Sequence, residues 1–128
     1  MKRKAQSTVE FLIIFMLASF FSIFILSYTG GRIQDIFSDN EYAASRDLAL
    51  ALQREITLAA SVDPGYSRKL MVPPDANGIS YTTQIKGTVL ILSTENYDQV
   101  LNIPMATGNF VPGELNMVNN SNGTIYVG

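Results

Sequence analysis

The sequence predicts an α+β chain: a long N-terminal helix, transmembrane and then amphipathic, followed by a small antiparallel β-sheet domain. Three observations carry this expectation. Residues 11–31 form an uncharged, largely apolar run of 21 residues, long enough to cross the hydrocarbon core of a bilayer as a helix. A second helical pattern follows and stops at Asp63-Pro64-Gly65, a strong stop signal. Beyond Pro64 the chain changes to short β-branched and apolar runs punctuated by Gly, Pro and Asn, the vocabulary of strands and turns.

The apolar run comes first. Lys2, Arg3 and Lys4 precede it, Glu10 stands at its threshold, and no further charge appears until Arg32. Basic residues before an apolar span hold that end in the cytoplasm. From Arg32 onward six basic and ten acidic residues give a net charge of −4, which the same rule places outside. A secretory signal peptide has a shorter apolar region with a small-residue cleavage site behind it. Here the run is followed by Ser27-Tyr28-Thr29-Gly30-Gly31, which offers no such site. Ionisable residues at membrane depth cost about 2.5–3.5 kcal/mol on insertion scales and mark function by default. Glu10 is therefore singled out.

The amphipathic continuation has Ile33, Ile36, Phe37, Ala44, Leu48, Ala51, Leu52 and Ile56 at three- and four-residue steps, one apolar stripe. Asp35, Asp39, Asp47 and Arg54 lie off it. One nearly continuous helix is predicted over residues 7–61, with a kink or local melt at Gly30-Gly31 left open. At about 1.5 Å per residue it is on the order of 80 Å long. The 67 residues after Ser61 are too few to cover such a rod, so other copies of the chain are expected to do so.

The sheet is expected to have four to six antiparallel strands with no helix after Pro64. Residues 69–72 form a strand ended by Pro73-Pro74. Residues 79–85 alternate, with Ile79, Tyr81, Thr83 and Ile85 on one face. Residues 88–93 are joined to them through Lys86-Gly87, a hairpin signal. Residues 99–103 are closed by Pro104, and 114–118 and 124–127 flank a turn at 119–123.

Composition narrows the function. The chain has no His, Cys or Trp, so Cys/His zinc sites, thiol nucleophiles and disulfides are excluded. The commonest general base is also missing. The Ser and Thr residues of the sheet have no His partner to activate them. Asp75, Glu95, Asp98 and Glu114 lack calcium-loop spacing and read as solvated surface. No basic patch interleaved with aromatics supports nucleic-acid binding. The expectation is a structural or interaction protein with no cofactor and no catalytic residues.

Gln6-Ser7-Thr8-Val9-Glu10-Phe11, directly behind Lys-Arg-Lys-Ala and directly before an apolar helix, resembles the class III signal peptide of archaeal type IV pilin-like proteins. That motif is Gln-x-Ser/Thr-x-Glu followed by apolar residues. The likeness is sharp over the first 30 residues or so and only architectural beyond them. It implies cleavage by a prepilin peptidase between Ala5 and Gln6, leaving 123 residues with Glu10 at the fifth position. Gln6, Thr8 and Glu10 are then the recognition and register residues. Glu10 would pair with the new α-amino group at Gln6 of a neighbouring subunit. A buried ion pair of that kind specifies register more than it adds stability. Cyclisation of Gln6 to pyroglutamate would remove the amine, and an uncharged Glu10 is the alternative in a dry core. Gly30-Gly31 departs from the family habit of keeping the helix free of paired glycines just beyond the membrane.

The resemblance divides the chain into a cleaved basic segment (1–5), a transmembrane and filament-core helix (6–31), an amphipathic continuation (32–63) and a small β domain (64–128). Phe11, Leu12, Ile14, Phe15, Leu17, Phe21, Phe24 and Ile25 are the expected filament-core residues. The implied partners are the chain itself or related pilins, the prepilin peptidase, and the membrane before assembly. The implied mature location is a filament at the cell surface, with adhesion as the expected role. A plain single-pass anchor carrying a binding module, with Glu10 merely interfacial, is the alternative; an archaellin-type motor filament is weaker. Asn119-Asn120-Ser121 and Asn122-Gly123-Thr124 are N-glycosylation sequons on the predicted turn.

Overall fold

The computed structural model describes the main chain from Lys2 to Gly128 and the side chains from Gln6 onward. Of the expected sites, the side chain of Ala5 and those of the basic cluster lie outside the described residues. Helix α1 spans Lys2–Ser61, followed by strands β1 (Ser67–Met71), β2 (Thr82–Ser93), β3 (Asp98–Gly108), β4 (Leu115–Ser121) and β5 (Thr124–Val127). The chain is α+β, a long N-terminal helix followed by a small sheet. Helical hydrogen bonding continues through Gly30-Gly31. Two glycines weaken a helix by about 0.5–1 kcal/mol each relative to Ala, and here that does not break it.

The chain divides into two units, Met1–Ser38 and Asp39–Gly128. In the first unit the helix is largely apolar all round over residues 11–31. Phe11, Ile14, Leu17, Phe21, Phe24 and Ile25 each expose more than half of their surface. Ser22 turns its hydroxyl back onto the Ala18 carbonyl at 2.9 Å, which satisfies a polar group without water.

In the second unit the part of α1 beyond Asp39 packs on one face of a five-stranded sheet of order β1-β4-β5-β3-β2. Ala49, Leu52, Ile56 and Ala59 of the helix meet Leu90, Leu92, Ile103, Val118, Ile125 and Val127 of the strands. The expected stripe is therefore right at Leu52 and Ile56, with Ala44 and Leu48 packed against the core, but Ala51 is exposed. Ser45, Ala49 and Ala59 take the buried positions instead. The small residues let the helix approach the sheet closely, which a pattern of large apolar residues does not reveal.

Three expectations for the strands are corrected. Lys86-Gly87 is not a hairpin: β2 runs through it as one strand, and the register against β3 shifts between Gly87 and Val89. Gly87, at φ 62°, supplies the backbone that a bulge requires. Pro104 does not close β3, because it lies between the Ala106↔Gly87 and Asn102↔Val89 pairs, where its missing N–H costs no ladder bond. Residues 119–121 belong to β4, so the turn shrinks to Asn122-Gly123, with φ values of 52° and 86°. Two consecutive positive φ values are those of a type I′ hairpin turn. The sheet also carries one parallel pair, β3 with β5; every other pairing is antiparallel.

Buried polar groups are paired. Gln99 donates to the Ser45 hydroxyl at 3.2 Å, and Ser45 donates to the Tyr42 carbonyl at 2.9 Å. Asn116 holds the turn before β4, accepting from Val111 N at 2.7 Å and donating to the carbonyls of Val111 and Glu114. The Tyr81 hydroxyl donates to the Pro73 carbonyl. Burial, assisted by the charge of Asp75, raises the Tyr81 phenol above its usual range. Such satisfaction is what keeps polar side chains tolerable inside a small core.

Candidate functional site

The first unit carries its charged residues at the two ends of the apolar run. At the N-terminal end Gln6 Nε2 donates to Glu10 Oε1 at 3.5 Å, a long contact between residues one helical turn apart. Thr8, two residues from each, is turned away from both. Of the expected motif residues the structure thus brings Gln6 and Glu10 together and leaves Thr8 on another face.

At the other end Arg32 donates to the Tyr28 hydroxyl at 2.8 Å, with its guanidinium carbon 5.3 Å from the centre of the Tyr28 ring. Reasoning from motifs misses this pair. Its signal in the sequence is an aromatic followed four residues later by the first cation after an apolar run, since Tyr and Arg anchor helices at membrane interfaces. From Glu10 to Arg32 the helix rises about 33 Å at 1.5 Å per residue, close to the roughly 30 Å of a hydrocarbon core. The two polar ends bracket a span of bilayer thickness.

Between them the expected core residues Phe11, Leu12, Ile14, Phe15, Leu17, Phe21, Phe24 and Ile25 are spread over about two-thirds of the helix circumference, all exposed, and the exposed Ile13, Met16, Phe20 and Ile23 fill the rest. Phe11 and Phe15 stack with centroids 6.4 Å apart, and Phe20 meets Phe21 edge to face. A helix apolar on every side is stable only with lipid or other protein around it. The helix is long and apolar enough to cross a membrane.

The second unit offers shallow grooves. One, of about 210 Å³, lies between α1 and β1 and is lined by Leu48, Ala51, Leu52, Glu55, Leu70, Met71 and Pro73. Another, of about 560 Å³, follows the outer side of α1 along Gln53, Arg54, Thr57, Leu58 and Ser61. Among the described residues no group of three or more His, Cys, Asp or Glu side chains could hold a metal ion. Near the start of the unit Glu41 accepts from Asn96 Nδ2 at 2.9 Å and from Asn96 N at 3.4 Å, while Tyr42 meets Tyr97 edge to face at 5.6 Å. The Asn96 amide, with a smaller contribution from Thr94, holds the Glu41 carboxyl below the usual carboxylate range.

The two sequon asparagines fall in different surroundings. Asn119 is half-buried within β4, opposite Ser67 of β1 on one side and Tyr126 of β5 on the other. Asn122 is exposed at the hairpin tip. Between them Asn120 is buried; its Nδ2 donates to the carbonyls of Ala59 and Val62, and its Oδ1 accepts from Gly123 N.

An apolar helix near the N-terminus suggests membrane anchoring, and with the small sheet behind it the architecture is compatible both with a pilin-like fold and with a membrane-anchored binding module. Comparison of the chain with protein-family models, with curated proteins and with solved structures finds no match.

Proposed function

We propose that the chain is the structural subunit of a type IV pilus-like cell-surface filament, polymerised through its N-terminal helix. The observation that carries this is the helix of the first unit, apolar and exposed on every side. Cover has to come from lipid before assembly and from identical helices afterwards. The Gln6–Glu10 motif supplies the route between these two environments. Cleavage before Gln6 by a prepilin peptidase removes Lys2, Arg3 and Lys4, the charges that pin the helix to the cytoplasmic face. The freed helix can then leave the bilayer for a helical bundle built from many copies. Glu10 sets the register within the bundle, and the sheet unit is displayed outward, with adhesion as the role.

The alternative is a single-pass anchored binding module, favoured by the Tyr28–Arg32 pair, which suits a helix that stays at an interface. Mass spectrometry of the mature N-terminus, on native protein from its own envelope, separates the two. A chain beginning at Gln6 or its pyroglutamate supports the filament subunit. A chain beginning at Met1 retains its basic anchor and makes the anchored module the function.

A further inference from the structure

We propose that Asn122, and not Asn119, accepts an N-linked glycan, and that the β4–β5 hairpin is built to present it. Both residues head an Asn-x-Ser/Thr sequon, so sequence alone treats them alike. The fold separates them. Asn119 sits in an interior strand, paired on both sides, and it lines a recess of about 210 Å³ with Met117, Tyr126, Val127 and Gly128. Its sequon partner Ser121 is also in the strand, paired with Thr124. To offer Asn119 to an enzyme, β4 would have to leave both neighbours.

Asn122 needs no such opening. It occupies the first of the two positive-φ positions of the turn, is exposed, and is followed by Gly123 and the half-exposed Thr124. A Cβ built on Gly123 would meet nothing within 4 Å, so the turn stands in open space. Among the described residues the Asn122 amide makes no hydrogen bond that would hold it back.

An exposed Asn-Gly pair has a competing fate: the glycine nitrogen attacks the side-chain amide, expels ammonia, and the resulting cyclic imide hydrolyses to a carboxylate. Here Gly123 N is occupied, donating to Asn120 Oδ1 at 3.1 Å. Asn120 is itself fixed by its bonds to Ala59 and Val62. The acceptor amide is thus free while the nitrogen that would destroy it is engaged.

The transfer balances without an oxidant. Asn122 Nδ2 forms a bond to the anomeric carbon of a saccharide carried on a lipid phosphate. The anomeric carbon–oxygen bond to phosphate breaks, the lipid phosphate leaves with the electron pair, and the amide gives up one proton. Because such donors are used outside the cytoplasm, the proposal rests on the orientation argued above, with the sheet unit outside; polymerisation is not required.

The test uses native protein cut after Glu114, with fragmentation of the 115–128 peptide. The expected result is a saccharide mass localised to Asn122, retained in Asn119→Gln and lost in both Asn122→Gln and Thr124→Val. The last variant keeps the Asn122-Gly123 turn, so its loss of glycan does not reflect misfolding. Saccharide on Asn119, an unmodified peptide, or only the one-dalton gain of deamidation at Asn122 overturns the proposal. An amine-reactive reagent that cannot cross membranes, applied to intact cells, reports on orientation through Lys69 and Lys86, both exposed. An unmodified peptide from labelled protein sinks the glycan alone; an unmodified peptide from unlabelled protein sinks the orientation with it.

Discussion

Asn120 Nδ2 donates to the carbonyl of Ala59 at 2.9 Å, a bond from near the end of β4 to the last turn of α1. Helix ends leave carbonyls without partners, and Asn120 fills two of them, Ala59 and Val62, from another element. Replacing Asn120 by Ala strands both carbonyls, that of Ala59 in a buried place, which costs about 1–3 kcal/mol. Asn120→Asp should be at least as damaging, because it replaces two donors with a carboxylate facing the negative end of the helix dipole. Urea unfolding of the detergent-solubilised chain checks both, and an Asp variant as stable as the parent would refute the capping role.

Gly108 should tolerate no side chain. A Cβ there would lie 1.8 Å from the Val127 carbonyl oxygen, and its φ is 101°. Gly108→Ala must therefore push β5 away from β3, at a cost in the range of severe core mutations, above about 4 kcal/mol. Hydrogen exchange at Ile125, Tyr126 and Val127 is the direct readout. Protection equal to that of the parent would show that the strands pair some other way.

The hold of Glu41 on the β2–β3 turn should weaken in acid. The Asn96 contacts favour the charged carboxylate, so its folded-state pKa lies below the unfolded value. The stabilisation is complete above the ordinary carboxylate range and is lost as pH falls through the lowered folded value. The protection of the Asn96 and Tyr97 amides, taken relative to their intrinsic exchange at each pH, should fall on acidification in the parent. In Glu41→Gln that dependence should be gone; an unchanged profile would mean that another group controls the turn.

Leu17→Arg places a charge in the middle of the apolar helix, costing about 2.5–3.5 kcal/mol on insertion scales. The variant should be depleted from both the membrane fraction and any sheared filaments. Glu10→Ala should instead remain membrane-inserted and fail to enter filaments. Normal filament recovery from Glu10→Ala would remove its register role.

In the single chain a Cβ placed on Gly30 or Gly31 would meet nothing within 4 Å. Replacing both by Ala should raise helix stability by about 0.5–1 kcal/mol per site, seen as greater resistance of the helical circular-dichroism signal to heat. A drop in filament yield alongside that gain would show that assembly uses the glycines for close packing or bending.

What the sequence made legible were the features written in long, repeated patterns. The apolar run, the stop at Asp63-Pro64-Gly65 and the strand-rich remainder translate directly into α1 and the sheet. What it hid depends on partners distant in the chain. Pro104 looks like a terminator until the register shift opposite Gly87 gives it a place without a ladder bond. Asn119 and Ser121 look like turn residues until β1 and β5 claim them from either side. Ser45, which the expected stripe leaves out, is buried with Gln99 from β3 as its partner. At the N-terminus the Gln6–Glu10 contact follows from local spacing of one helical turn, and the Tyr28–Arg32 pair is equally local but carries no motif to draw attention to it.

The position of β5 sets the order in which the sheet can be completed. The β1–β4 and β2–β3 halves are joined through these four residues, Thr124–Val127, which come after all the other strands. Until they arrive, Val118 of β4 and Ala106 of β3 have no strand between them, and the two halves cannot close into one sheet. The β1–β4 and β2–β3 pairs can therefore form separately, and β5 alone makes them one sheet. The sheet then locks in one step, when β5 seats between β4 and β3.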